Sequence, residues 1–165
     1  MNTKPLQLPL DDEPYIMTAE QRSVWIYLTA TVVATIAYAA IVIPRALDNP
    51  IAEVSWVRPM LLTIGATIAV TIVGTIVWSV AAGVRLGLRG RDPEIELESD
   101  IRDKEINKRG ATASSTVVGL GLLGVLILTM AGVDHFWIGQ ALYATGAAGG
   151  LTEAITKIRL YQRGF

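Results

Sequence analysis

Few residues in this chain could do chemistry. Glu153 stands four positions before Lys157, so any helix that holds both puts them on one face. Glu153 lies inside an otherwise uncharged apolar run, where a carboxylate is a natural proton or cation site. It also lies within a turn of that run's end. An ion pair with Lys157, reaching towards the lipid headgroups, therefore accounts for it more simply. The single histidine, His135, adjoins Asp134. One histidine and one acid make neither a metal site nor a hydrolytic triad, and the pair reads as a polar turn ahead of Trp137. Gly119, Gly121 and Gly124 spell G-x-G-x-x-G. A dinucleotide site needs a strand before that motif and an aqueous phosphate beside it, whereas here the motif sits within an apolar run. There are no cysteines, which excludes disulfides, thiolate metal sites and cysteine nucleophiles. No catalytic residue, metal ligand or cofactor site emerges, and the chain reads as non-enzymatic.

Two sets of small residues recur at intervals of four. Thr63, Thr67, Thr71, Thr75 and Ser79 form a hydroxyl ridge. Ala141, Thr145 and Gly149 form a second ridge that Glu153 and Lys157 continue, and Gly146, Gly149 and Gly150 would let a neighbour approach almost backbone to backbone. A hydroxyl track could pass a polar solute. The plainer reading is helix packing, because small residues spaced by four let helices come close while the hydroxyls bond to their own i−4 carbonyls.

The elements that must position these residues are long apolar blocks. Of the 165 residues 52% are hydrophobic, the mean hydropathy is +0.45, and the length suits one compact unit. The blocks run over about 24–43, 60–82, 115–133 and 136–155, and only Glu153 is charged among them. About 20 residues of helix cross a bilayer's hydrocarbon. The blocks do not alternate as barrel strands do. The expected fold is all-α: a four-transmembrane-helix bundle of two helical hairpins. Residues 1–23 are expected to be a polar cytoplasmic tail rather than a secretory signal, since they carry Asp11, Asp12, Glu13 and Glu20 where a signal needs basic residues.

Orientation follows from lysine and arginine. With four spans, the tail, the long middle link and the C-terminus share a side that holds twelve basic residues; the other side holds only Arg45 and Arg58. The richer side is expected to be cytoplasmic, in a multi-pass protein of the plasma (inner) membrane. Trp25, Tyr27 and Trp78 then fall near the inner interface and Trp56 and Trp137 near the outer one. Within the middle link, Asp92-Pro93 can start a short cytoplasmic helix over about 94–108 that could run on towards the third span, supported by the pairs Glu98–Arg102, Asp100–Lys104 and Glu105–Arg109. The link carries seven basic and seven acidic residues, a balance that offers no nucleic-acid patch and little attraction to anionic lipid. Arg85–Gly90 and Arg159–Gly164 both read R-L-x-x-R-G, as two like-oriented hairpins would, although basic residues follow any helix that ends inside.

Three segments of the second half are similar to a family of small prokaryotic membrane proteins known only as a domain of unknown function. They are Asp100-Ile101-Arg102-Asp103, the stretch Asp134-His135-Phe136-Trp137-Ile138-Gly139-Gln140-Ala141-Leu142-Tyr143, and the tail Lys157-Ile158-Arg159-Leu160-Tyr161-Gln162-Arg163-Gly164-Phe165. Ile101, Gln140 and Gln162 depart from the residues common there, which are an acid, Asn and Arg. The resemblance covers about residues 95–165 and implies no activity. It implies a regulatory protein partner, because such proteins are often encoded beside helix-turn-helix regulators. The chain is thus expected to sit in the lipid bilayer, to form a homo-oligomer through its small-residue ridges, and to act by interaction or regulation. The alternative is a subunit of a small transporter or channel with Glu153 as its ion or proton site.

Overall fold

The computed structural model describes the backbone of residues 19–88 and 101–163, and the side chains of 20–84 and 101–163. Four long helices are present among them: α1 (Ala19–Asp48), α2 (Val57–Leu88), α3 (Ile101–Met130) and α4 (His135–Gln162). A single 3-10 turn, Ile51–Glu53, lies between α1 and α2. Three helices, α1, α2 and α3, are long and apolar enough to cross a membrane.

Each helix starts before the apolar block that announced it, and α1, α2 and α4 also run past its end. Residues 19–23, expected to belong to a polar tail, form the first turn of α1. Ser23 donates to the Glu20 carbonyl at 2.8 Å and Gln21 is buried against the bundle, so this turn is packed rather than solvated. Pro44, read as the end of the first span, lies inside α1, which continues to Asp48. It falls close to the helix end, where the one hydrogen bond it removes matters least. Residues 101–108, expected in a cytoplasmic helix that could run on towards the third span, are helical and continuous with it. They are the opening turns of α3, which runs unbroken past Gly110 into the third apolar block. The Glu105–Arg109 pair is formed at 2.9 Å. Asp92, Glu98 and Asp100, with their expected cap and pairs, and the side chains of the first R-L-x-x-R-G segment lie outside the described residues. The third block was expected to reach Val133, but α3 stops at Met130. Gly132 takes φ +68°, its N–H donates to the Thr129 carbonyl, and Val133 donates to the Leu128 carbonyl. This 6→1 and 5→2 pattern ends a helix on a left-handed glycine.

The helices alternate in direction and their main contacts form a row, α2–α1–α4–α3. The end where α1 and α3 begin is termed proximal, the other distal. At the proximal end Val24, Ala154 and Ile158 form a buried cluster, with the fully buried Ile106 on α3. Two polar contacts cross there: the Asn107 amide donates to the Glu20 carboxylate, and the Tyr161 hydroxyl donates to Asp103 at 2.9 Å. At the distal end Tyr38, Val42, Val54 and Phe136 pack together, and Trp56 meets Phe136 edge-on at 6.2 Å.

The distribution of polarity is inverted relative to a water-soluble bundle. Gln21, Thr31 and Asp103 are buried, while Leu61, Leu62, Ile76, Val77, Leu120 and Ile127 each expose more than half of their surface. The helix α4 is not among the three long and apolar enough to cross a membrane. It packs on both α1 and α3, so Gly149, Gly150 and Lys157 meet protein.

Candidate functional site

The site is built on the consecutive glycines of α4. Adjacent helix positions point about 100° apart, so Gly149 and Gly150 serve two different neighbours. A Cβ on Gly149 would stand 2.5 Å from Val118 Cγ2 of α3, and a Cβ on Gly150 would collide with the Tyr27 hydroxyl of α1. Both glycines are buried. Gly146 differs: nothing lies within 4 Å of its missing Cβ, and it opens onto a cleft between α1, α2 and α4. Of the G-x-G-x-x-G glycines only Gly121 receives a neighbour, the side chain of Thr145; Gly119 and Gly124 face open space.

One and two turns further, Glu153 and Lys157 are joined at 2.6 Å. The side chain of Lys157 is only 14% exposed. Its methylenes lie over Gly110 of α3, where an added Cβ would come within 2.8 Å of them. Glu153 and Lys157 both line a cleft with Ser23 and Tyr27 of α1 and Thr71 of α2. The pair therefore sits among all four helices rather than reaching freely outward.

The hydroxyl ridge of α2 is partly covered along its length, and the residues around it on that helix are mostly exposed. Thr63, Thr67 and Thr71 donate to carbonyls one turn back, at 3.0, 2.8 and 2.7 Å. Their donors are committed within their own helix.

A second ladder, not anticipated from the sequence, runs along α1: Ser23, Tyr27, Thr31, Thr35 and Tyr38. Its members line three clefts in succession. The proximal one holds Ser23, Tyr27 and Glu153; the middle one Tyr27, Thr31, Thr35 and Tyr143; the distal one Thr35, Tyr38, Gln140 and Tyr143. Each cleft shares at least one lining residue with the next, so together they trace a polar seam down α1 and α4. The Tyr38 hydroxyl donates to Gln140 Oε1 at 2.9 Å, and the Tyr38 and Tyr143 rings lie 4.5 Å apart. Thr31 Oγ1, Thr35 Oγ1 and Gln140 Nε2 are buried and have no hydrogen-bond partner among the described residues.

The remaining candidates have structural roles. Asp134 caps α4, its Oδ1 accepting from the Phe136 amide at 2.8 Å, and His135 is the exposed first residue of that helix. Trp25, Trp78 and Trp137 are exposed, but Tyr27 packs on Gly150 and Trp56 on Gly139, inside the protein. Among the described residues no group of three or more His, Asp or Glu side chains could hold a metal ion.

No protein-family model matches the chain, and neither a curated protein nor a solved structure matches it significantly.

Proposed function

We propose that the chain is a multi-pass protein of the plasma membrane with four spans, α1 to α4, both ends cytoplasmic, and that it works by association rather than catalysis. The inverted polarity carries this reading. Large apolar side chains face outward along α2 and α3 while Thr31, Gly149, Gly150 and Lys157 face inward. Soluble monomers rarely expose apolar patches of that extent. The fourth span is supported by the position of α4, whose Gly149, Gly150 and Lys157 contact its neighbours instead of lipid. Association is supported by α2, which packs extensively on α1 alone and leaves Gly65, Ala66 and Ala69 exposed, a small-residue surface of the kind on which membrane helices pair. The regulatory form of the role rests on the resemblance of residues 95–165. The test is purification in mild detergent, with the mass of the complex measured and co-purifying proteins identified. A homo-oligomer or a defined protein partner is expected. A monomer without partners contradicts the reading.

The cleft at Glu153 favours a second reading, a transporter or channel subunit with Glu153 as the ion or proton site, because Glu153 lines the seam. The exchange Glu153→Lys/Lys157→Glu separates the two. An ion pair tolerates the reversal, whereas a carboxylate site does not survive replacement by an amine. We expect tolerance; a swapped protein that inserts and folds yet loses its cellular phenotype would favour transport.

A further inference from the structure

We propose that the distal cleft of the seam binds a neutral, lipid-soluble molecule through a carbonyl oxygen, and that the flat ring of an isoprenoid quinone is its occupant. The inference rests on the membrane-spanning reading above and concerns binding alone. Its basis is a surplus of donors. Gln140 accepts from Tyr38 through Oε1, which leaves both Nε2 hydrogens unused. Turning the amide over makes Nε2 donate to the Tyr38 oxygen, but then the Tyr38 O–H and the second Nε2 hydrogen are unused. Either assignment leaves the pair with donors to spare, and the buried Thr35 hydroxyl adds one more beside it. A buried donor left unmade is costly, so the group that completes this site is an acceptor.

The cleft runs from Thr35, near the midpoint of the 30-residue α1, to Ile51 and Trp137 at the distal end, so lipid ester carbonyls are distinguished from the proposed ring by the displacement arm of the test. Composition narrows the acceptor. No charged side chain lines the cleft, so an anion would meet no counter-charge at a depth where charge is costly. The cleft encloses about 410 Å³, within the usual range of small-molecule sites. The aromatic rings of Tyr38, Tyr143, Phe136 and Trp137 line it, and α1 contributes Ala39, Val42 and Ile43. A planar dicarbonyl ring with an apolar tail matches both the donors and these walls. Threonine can instead satisfy itself by rotating onto its own i−4 carbonyl, as along α2; Gln140 has no such recourse.

The test uses the full-length protein in lipid nanodiscs and decyl-ubiquinone as the probe, with binding measured by equilibrium partition. Saturable binding near one per chain is expected. Gln140→Leu and, independently, Thr35→Val should each raise the dissociation constant about tenfold. Thr35→Val removes a hydroxyl that has no partner among the described residues, so the fold should survive and the thermal midpoint without probe should not fall. Non-saturable partition, or affinity unchanged in both variants, would overturn the proposal. Equal displacement of the probe by excess phosphatidylglycerol would also overturn it, assigning the carbonyl to lipid esters. A chain that inserts as proposed and binds no probe rejects this site and leaves the membrane reading intact.

Discussion

Two helices of this protein carry hydroxyls every turn on an inward face, and they use them differently. Along α2, Thr63, Thr67 and Thr71 return their protons to their own backbone. Along α1, Thr31 and Thr35 make no such bond, and Tyr38 spends its proton on Gln140 of another helix. The spacing is nearly the same, so spacing identifies the face of a helix but not the destination of its hydrogen bonds. That destination depends on what lies opposite. The ridge on α2 belongs to a helix at the margin of the row, whereas the ladder on α1 lies between two inner helices, α1 and α4.

The largest effect should come where backbones meet most closely. Gly149→Leu must displace Val118, a β-branched residue with little rotameric freedom in a helix. A loss of about 1–3 kcal/mol is expected, read as a lower thermal midpoint in detergent. Next comes the proximal contact between α3 and α4. Asp103 and Tyr161 are both buried and joined at 2.9 Å, so Tyr161→Phe should cost about 1–3 kcal/mol by leaving the Asp103 carboxyl short of a partner. Thr71→Leu should cost less than Gly149→Leu, because Thr71 borders a cleft that can receive the added carbons. If Thr71→Leu proves the more damaging, the ridge on α2 and not the glycine pair is the tighter seam. The smallest effects sharpen the contrast most. Thr67→Val removes a satisfied donor and Thr35→Val an unsatisfied one, so the first should be neutral to slightly destabilising and the second neutral to slightly stabilising, each within about 1 kcal/mol. The opposite order would mean that Thr35 bonds its own helix as Thr67 does.

Much of the architecture could be read from the chain because apolar blocks of twenty residues have one plausible backbone solution in lipid. The all-helical fold followed from them. The ends did not, since polar residues such as Gln21 and the charged stretch 101–108 prolong helices that the hydropathy pattern closes early. The ion pair of Glu153 and Lys157 was legible because spacing by four is local information. Its place among four helices was not, because Gly110 lies far away in sequence. The ladder on α1 was missed for a specific reason. Tyr27 carries its hydroxyl at the tip of a ring that also suits an interfacial belt, so the run Ser23, Tyr27, Thr31, Thr35 lost a member when read by residue type. Gln140 drew notice as a departure from a pattern, not as the partner of Tyr38 more than a hundred residues earlier.

All of these comparisons assume that the outward apolar faces meet lipid, and that assumption can be tested directly. Cysteines placed singly at Asn49 and Ser99 in a chain that has none of its own are challenged with a membrane-impermeant thiol reagent in intact cells. Four spans with cytoplasmic ends predict that Asn49→Cys labels and Ser99→Cys does not until the membrane is opened. Labelling of Ser99→Cys alone would reverse the orientation, and labelling of both in intact cells would contradict the four-span account.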